Sequence, residues 1–138
     1  MFTPYISFNG DCEEAFLWYA RLFNGTIQHL YKYDEIPENP EFPINSELKN
    51  KVMHARLAVS ETAGITGADY LEPIETTGNV AIQAHLSEEI MARNVFSELA
   101  EEGTIIAVIA SNPPPDDGSI SGCVKDKYGV TWIISAMK

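Results

Sequence analysis

The chain is poor in cysteine and in positive charge. Its two cysteines, Cys12 and Cys123, stand far apart in 138 residues. They form no C-x-x-C pair and share no zinc-like spacing with histidine, so neither a disulfide framework nor a zinc-finger site is expected, and both thiols read as buried. Nine Lys and Arg face twenty Asp and Glu, a net charge of −11. Such a surface repels phosphate backbones, which argues against a nucleic-acid partner, and it attracts cationic ligands. No apolar run approaches the roughly 20 residues of a membrane-spanning helix. The N-terminus, MFTPYISFNG, has no basic region and no continuous apolar stretch. No membrane association is therefore expected, and the expected location is cytoplasmic. A G-x-S-x-G elbow, an H-E-x-x-H pair and a phosphate-binding loop are all missing, which leaves out the chemistries those motifs carry. Asn24-Gly25-Thr26 fits the glycosylation pattern but, without a secretory signal, reads as a turn.

What remains is an ordinary globular composition, 45% hydrophobic and 21% charged, at the length of one domain, residues 1–138. TPYISF alternates like a strand. NGD breaks it, and Asp11 is placed to cap the helix CEEAFLWYARLF, with Glu14 at the capping-box position. Phe16, Leu17, Tyr19 and Phe23 form that helix's apolar face, and Asn24-Gly25 ends it. TIQHLYKY and VMHARLAV read as strands, the second with Met53, Ala55, Leu57 and Val59 on one face and His54 and Arg56 on the other. AGITGAD follows as a short, glycine-thinned strand. Between them, residues 34–50 hold Pro37, Pro40 and Pro43 among carboxylates, the pattern of a mobile loop. A loop this long serves as a lid, a partner contact or plain solvent-exposed chain.

The order then starts again. NVAIQAHL is a strand, Ser87 caps the helix EEIMARNVFSELAEE, and Gly103 stops it. TIIAVIA, SISGCVKD and VTWIISAM are strands, the last two a hairpin across Lys127-Tyr128-Gly129. Both helices open on a Glu-Glu pair, and both are followed by Gly-Thr-Ile. This internal repeat, about 1–70 and 78–138, predicts an α+β fold of two βαβββ units. Their strands would form a mixed, curled eight-stranded sheet around a cleft, with helices on the outer face.

PYISFNGDCEEAFLWYARLFNG, VMHARLAV and VKDKYGVTWIIS resemble the vicinal-oxygen-chelate superfamily of glyoxalases, extradiol dioxygenases and bleomycin-resistance proteins. Within it they are most similar to the bacterial PhnB-like branch, over nearly the whole chain. That branch often carries a demethylubiquinone methyltransferase label, yet nothing here resembles a glycine-rich loop for a methyl donor. The resemblance implies a homodimer. It also implies a divalent ion held by His or Gln on the first strand, Glu late in the first half, His opening the second half and Glu on the last strand. Those positions fall on Pro4 or Tyr5, near Thr66, on Asn79 and on Ile133. Isoleucine cannot ligate, and its neighbours point to the opposite face, so neither the usual metal site nor another cofactor is expected.

Alternation gives the residues that should line the cleft: Tyr5 and Ser7; His54 and Arg56; Asn79, Ala81, Gln83 and His85; Thr131, Ile133 and Ser135, with Trp132 packed under a helix. Thr66 joins them by the resemblance. Hydroxyls, amides, imidazoles and a guanidinium suit a small polar ligand. His54 reads either as a general base or as a structural histidine bonded to a neighbour. Arg56 reads as an anchor for an anionic group or as partner to one of the many carboxylates. His85 reads as a second base or as an exposed strand-end residue. Cys12, in the first turn of its helix, reads as a nucleophile only if the helix terminus outweighs Glu13 and Glu14. Three functions stay open: a metal-free small-molecule binder, an enzyme with His-based chemistry, and a regulatory protein using the acidic loop.

Overall fold

The structure, a computed structural model, describes residues 1–41, 43–75 and 78–138. Phe42 in the proline-rich loop, and Thr76 and Thr77 ahead of the second repeat, lie outside the described residues. The chain forms two compact units, Met1–Glu75 and Thr76–Lys138. Each has the βαβββ order, and the fold is α+β. The eight strands are hydrogen-bonded as two four-stranded mixed sheets, one to a unit. No helix among the described residues is long and apolar enough to cross a membrane.

In the first unit, β1 (Tyr5–Phe8), α1 (Cys12–Leu22), β2 (Thr26–Lys32), β3 (Val52–Ala58) and β4 (Gly64–Asp69) follow in the chain. The sheet order is β1-β4-β3-β2, with β1 parallel to β4 and the other pairs antiparallel. Helix α1 buries Cys12, Ala15, Phe16, Tyr19 and Leu22, a stripe at helical spacing. Phe8, Ala55, Leu57 and Ile65 of the sheet are buried with them. Leu17, expected on this stripe, is 58% exposed instead. One step along a helix turns a side chain by about 100°, which carries Leu17 past the edge of the stripe.

The helix starts differ from expectation. Asp11 occupies the N-cap position of α1, but its side chain makes no capping bond. The start of the helix is held by Asp69 from the end of β4, whose Oδ1 accepts from the N–H of Gly10 (2.9 Å) and of Cys12 (3.0 Å). Its Oδ2 accepts from Val52 N–H at 2.9 Å. Ser87 does not cap the second helix, which begins later, with Glu88 at the N-cap and no side-chain bond. The helix ends differ too. Left-handed backbone falls on Asn24 (φ 52°) and Glu102 (φ 58°), not on the glycines that follow. Gly25 and Gly103 answer to close approach: a Cβ would meet Ala58 O at 2.8 Å in the first case and clash with Lys125 O in the second. The repeated Gly-Thr-Ile thus brings a strand tight against its partner in each unit.

In the second unit, β5 (Ile82–Leu86), α2 (Glu89–Ala100), β6 (Thr104–Ser111), β7 (Ser119–Lys125) and β8 (Thr131–Met137) form the sheet order β5-β8-β7-β6. Ala92, Val95, Phe96 and Leu99 of α2 are buried, as are Ile120, Val124, Trp132, Ile134 and Ala136 of the sheet. Asp126 organises the β7–β8 turn. Its Oδ1 accepts from the N–H of Tyr128 and Val130, and its Oδ2 from the indole N–H of Trp132 at 2.9 Å. Cys123 is half-buried rather than buried, because it shares a face with Ile133 opposite it on β8, away from α2. Within residues 34–50 the chain makes short 3-10 turns; Tyr33–Glu35 leads in, and Ser46–Leu48 is capped by the Asn45 side chain on Glu47 N–H.

Candidate functional site

The first sheet turns its polar face away from α1. Tyr5 sits beside Thr66, and Thr66 beside Arg56, so β1, β4 and β3 each contribute to one row. His54 lies two residues along β3 from Arg56, on the same face. Tyr5 and Tyr70 share a hydroxyl–hydroxyl bond of 2.8 Å. Burial, and then that bond, push the Tyr5 phenol well above its usual pKa, so it stays a neutral hydroxyl at physiological pH. Thr66 Oγ1 donates to Pro4 O at 3.3 Å. Ser7 opens, with Tyr70, Leu71 and Pro73, onto a shallow cavity of about 460 Å³.

The centre of this face is a residue that alternation misplaces. His29 Nε2 and His54 Nδ1 lie 2.8 Å apart. Their ring centroids are 4.9 Å apart and their planes 22° apart, close to two imidazoles joined edge to edge by one N–H···N bond. Tyr31 stacks on His29 at 5.1 Å and 18°, and Tyr5 lies 6.3 Å from His54. Strict alternation would put His29 with Ile27, facing α1. A bulge at Gln28 prevents this: Ile27 pairs with Leu57, but His29 pairs with Arg56. The extra residue turns Gln28 and His29 to the same side. The only trace in the sequence is the spacing of Ile27 and Leu30. Both pair with buried residues of β3, yet they are an odd number of positions apart. Gln28 Oε1 accepts from Arg56 Nε at 2.8 Å. Burial, then His54, then Arg56 lower the pKa of His29, which favours the neutral ring.

The second unit carries a smaller polar cluster. Ser135, buried on β8, meets His85 Nδ1 at 2.9 Å and Gln83 Nε2 at 3.4 Å, both from β5. Gln83 and His85 are exposed. Thr131 is buried on the same face of β8, opposite Lys125. Asn79 does not belong to the strand: β5 begins at Ile82, and Asn79 lies in a bend before it. Ile133 stands opposite Gln83 and Cys123, while Trp132 and Ile134 are buried on the α2 side.

These placements allow a test of the superfamily's metal. Tyr5 and Thr66 offer hydroxyls, Asn79 is off the strand, and Ile133 has no donor atom. No carboxylate stands at any of the four positions, so the side chains present do not fit the usual ion. Among the described residues no three His, Cys, Asp or Glu side chains gather in a metal-binding group. Cys12 is fully buried, and burial, then Asp69 and Glu13, push its thiol well up. It is a core thiol, not a nucleophile.

Paired βαβββ units of this topology define the vicinal-oxygen-chelate class. A family model described as 3-demethylubiquinone-9 3-methyltransferase matches residues 1–135. The chain belongs to that family, the PhnB-like branch of the superfamily. Protein PA1353 from Pseudomonas aeruginosa is similar at 26% identity and TM-score 0.83, covering 99% of this chain and 97% of its own. The PhnB protein from Bacillus cereus is similar at 25% identity and TM-score 0.77, covering 98% of each chain. The fosfomycin resistance protein FosX from Listeria monocytogenes, complexed with Mn(II) and sulfate, shares the fold at 8% identity and TM-score 0.62, covering 100% of this chain and 92% of its own. No curated protein matches the chain.

Proposed function

We propose that the protein binds a small polar molecule on the polar face of the first sheet, without the superfamily's usual metal. The observation that carries this reading is the bonded His29–His54 pair, walled by Tyr31 and Tyr5. Aromatic walls supply contact area, and the imidazoles supply directed hydrogen bonds, the usual division of labour in a ligand site. Ser7, Arg56 and Thr66 extend the face; Gln83, Thr131 and Ser135 form the separate cluster of the second unit. A screen of metabolites by thermal shift tests the reading. A ligand at about 100 times its Kd stabilises the native state by about 2.7 kcal/mol, a rise of several degrees in Tm. The rise should vanish in a His29→Ala, His54→Ala double variant. A screen without one stabilising compound removes the proposal.

A second reading rests on the same bond. His54 acts as a general base in proton transfer beside a carbonyl, with His29 fixing its tautomer. Turnover that survives His54→Ala unchanged would exclude it. By resemblance we also propose a cytoplasmic homodimer; light scattering that returns a mass near 15.3 kDa would refute the dimer.

A further inference from the structure

The polar face of the first sheet is basic, although the chain as a whole carries a net charge of −11. Arg56 sits between His29 on β2 and Thr66 on β4. The side-chain oxygen Oε1 of Gln28 accepts its Nε–H and so fixes the plane of the guanidinium. Among the described residues no carboxylate pairs with Arg56, in spite of the twenty in the chain. Its two Nη groups are the edge that binds planar oxyanions in bidentate fashion.

The histidine pair adds a second source of positive charge. In the neutral pair one ring donates and the other accepts. One added proton goes to the outer nitrogen of the donating ring, His29 Nδ1 or His54 Nε2 according to tautomer. The bond between the rings survives and becomes charge-assisted. A second proton would set N–H against N–H and break it. The pair therefore accepts one charge at little structural cost.

We infer that this face selects molecules bearing an oxyanion, a carboxylate or a phosphonate, held by the Nη groups of Arg56 with the singly protonated His29–His54 pair as the second cation. This rests on the reading that the first sheet's polar face is the binding surface, and it assigns the ligand's charge. Among the described residues the other titratable groups on the face are Tyr5 from β1, Tyr31 from β2 and Tyr70, bonded to Tyr5. Neighbouring β4 adds only Thr66, and α1 packs on the opposite side. Tyr5 stays a neutral phenol. Burial, then His54 and Arg56, work against a proton on His29, so the empty site favours its neutral ring. A bound anion reverses that balance, and binding takes up a proton. Affinity then rises as pH falls from the raised pKa of the bound pair toward the lowered pKa of His29 in the empty site, by up to about tenfold per pH unit. The chain's acidic surplus favours a cationic guest at long range. At contact distance the local guanidinium is screened far less and dominates.

The test uses full-length protein with 15N-labelled histidine, titrated at about pH 5.5 and about pH 7.5. The probes are benzoate, phenylphosphonate and the neutral benzamide. Expected are shifts of both the His29 and His54 ring signals by the two anions, with benzoate at least about tenfold tighter at the lower pH. Benzamide should shift neither, and Arg56→Gln should weaken benzoate at least about tenfold while leaving Tm unchanged. Should benzamide bind as tightly as benzoate, or Arg56→Gln bind benzoate as well as wild type, the charge assignment falls and the binding surface stands. Silence from every probe overturns the assignment; joined to an empty metabolite screen, it removes the binding surface too.

Discussion

Asp69→Ala is expected to cost the protein roughly 4 kcal/mol, a large fraction of the about 5–15 kcal/mol that stabilises a typical domain. The carboxylate is 1% exposed. It ties the end of β4 to the start of α1 through Gly10 and Cys12, and to the start of β3 through Val52. Alanine leaves three backbone N–H groups facing a small apolar gap. Each buried donor left unsatisfied costs about 1–3 kcal/mol. Asp69→Asn is the milder change, since its one oxygen still accepts. Its amide, however, sets N–H against N–H at one of the two carboxylate oxygens. Urea denaturation reads both. A midpoint shift worth less than about 1 kcal/mol for the alanine would mean that water replaces the carboxylate, and that the tie is dispensable.

Phe16→Ala should be nearly as damaging, at about 3–5 kcal/mol. The ring is fully buried. It meets Phe8 edge-on at 6.0 Å and 81°, and Tyr19 at 6.3 Å. It also rests on the backbone of β4, where a Cβ added at Gly67 would lie 3.0 Å from its edge. Helix and sheet can come this close only because that position has no side chain. The two sites should therefore couple: Gly67→Ala should cost less in the Phe16→Ala background than in wild type. A residual cost is expected, because Ile6 O would remain 2.8 Å from the new Cβ. Strict additivity would show that the ring does not set the helix-to-sheet distance.

What the sequence revealed, and what it hid, follows from the range of each signal. Ile133 could be placed because Trp132, Ile134 and Ala136 alternate against it, and β8 is regular along its length. The face shared by Tyr5, His54 and Arg56 was legible for the same reason, while Thr66 came only from the resemblance. The helix caps were not. Asp11 with Glu14, and Ser87, carry the right local pattern, but the group that holds α1 comes from 57 to 59 residues away. A capping rule reads three positions ahead and has no view of a distant carboxylate. Asn79 was misplaced because Val80 and Ala81 continue the apolar alternation beyond the point where strand pairing begins at Ile82. His29 was missed because one extra residue inverts the parity of β2 halfway along it.

That inversion has a consequence for how such a site is gained or lost. Facing in a strand is a two-state property, set by counting residues rather than by their chemistry. Removing Gln28 alone would leave Ile27 opposite Leu57 and His29 opposite Arg56, with the imidazole still on the polar face, whereas pairing Gln28 itself with Arg56 would turn His29 toward α1. The site would then be dismantled with every one of its histidines, tyrosines and arginines still present. A chain of this fold with all the same side chains, but with β2 paired without the bulge, would be a different protein at this surface. The pairing register of β2 therefore carries functional information that residue identity does not.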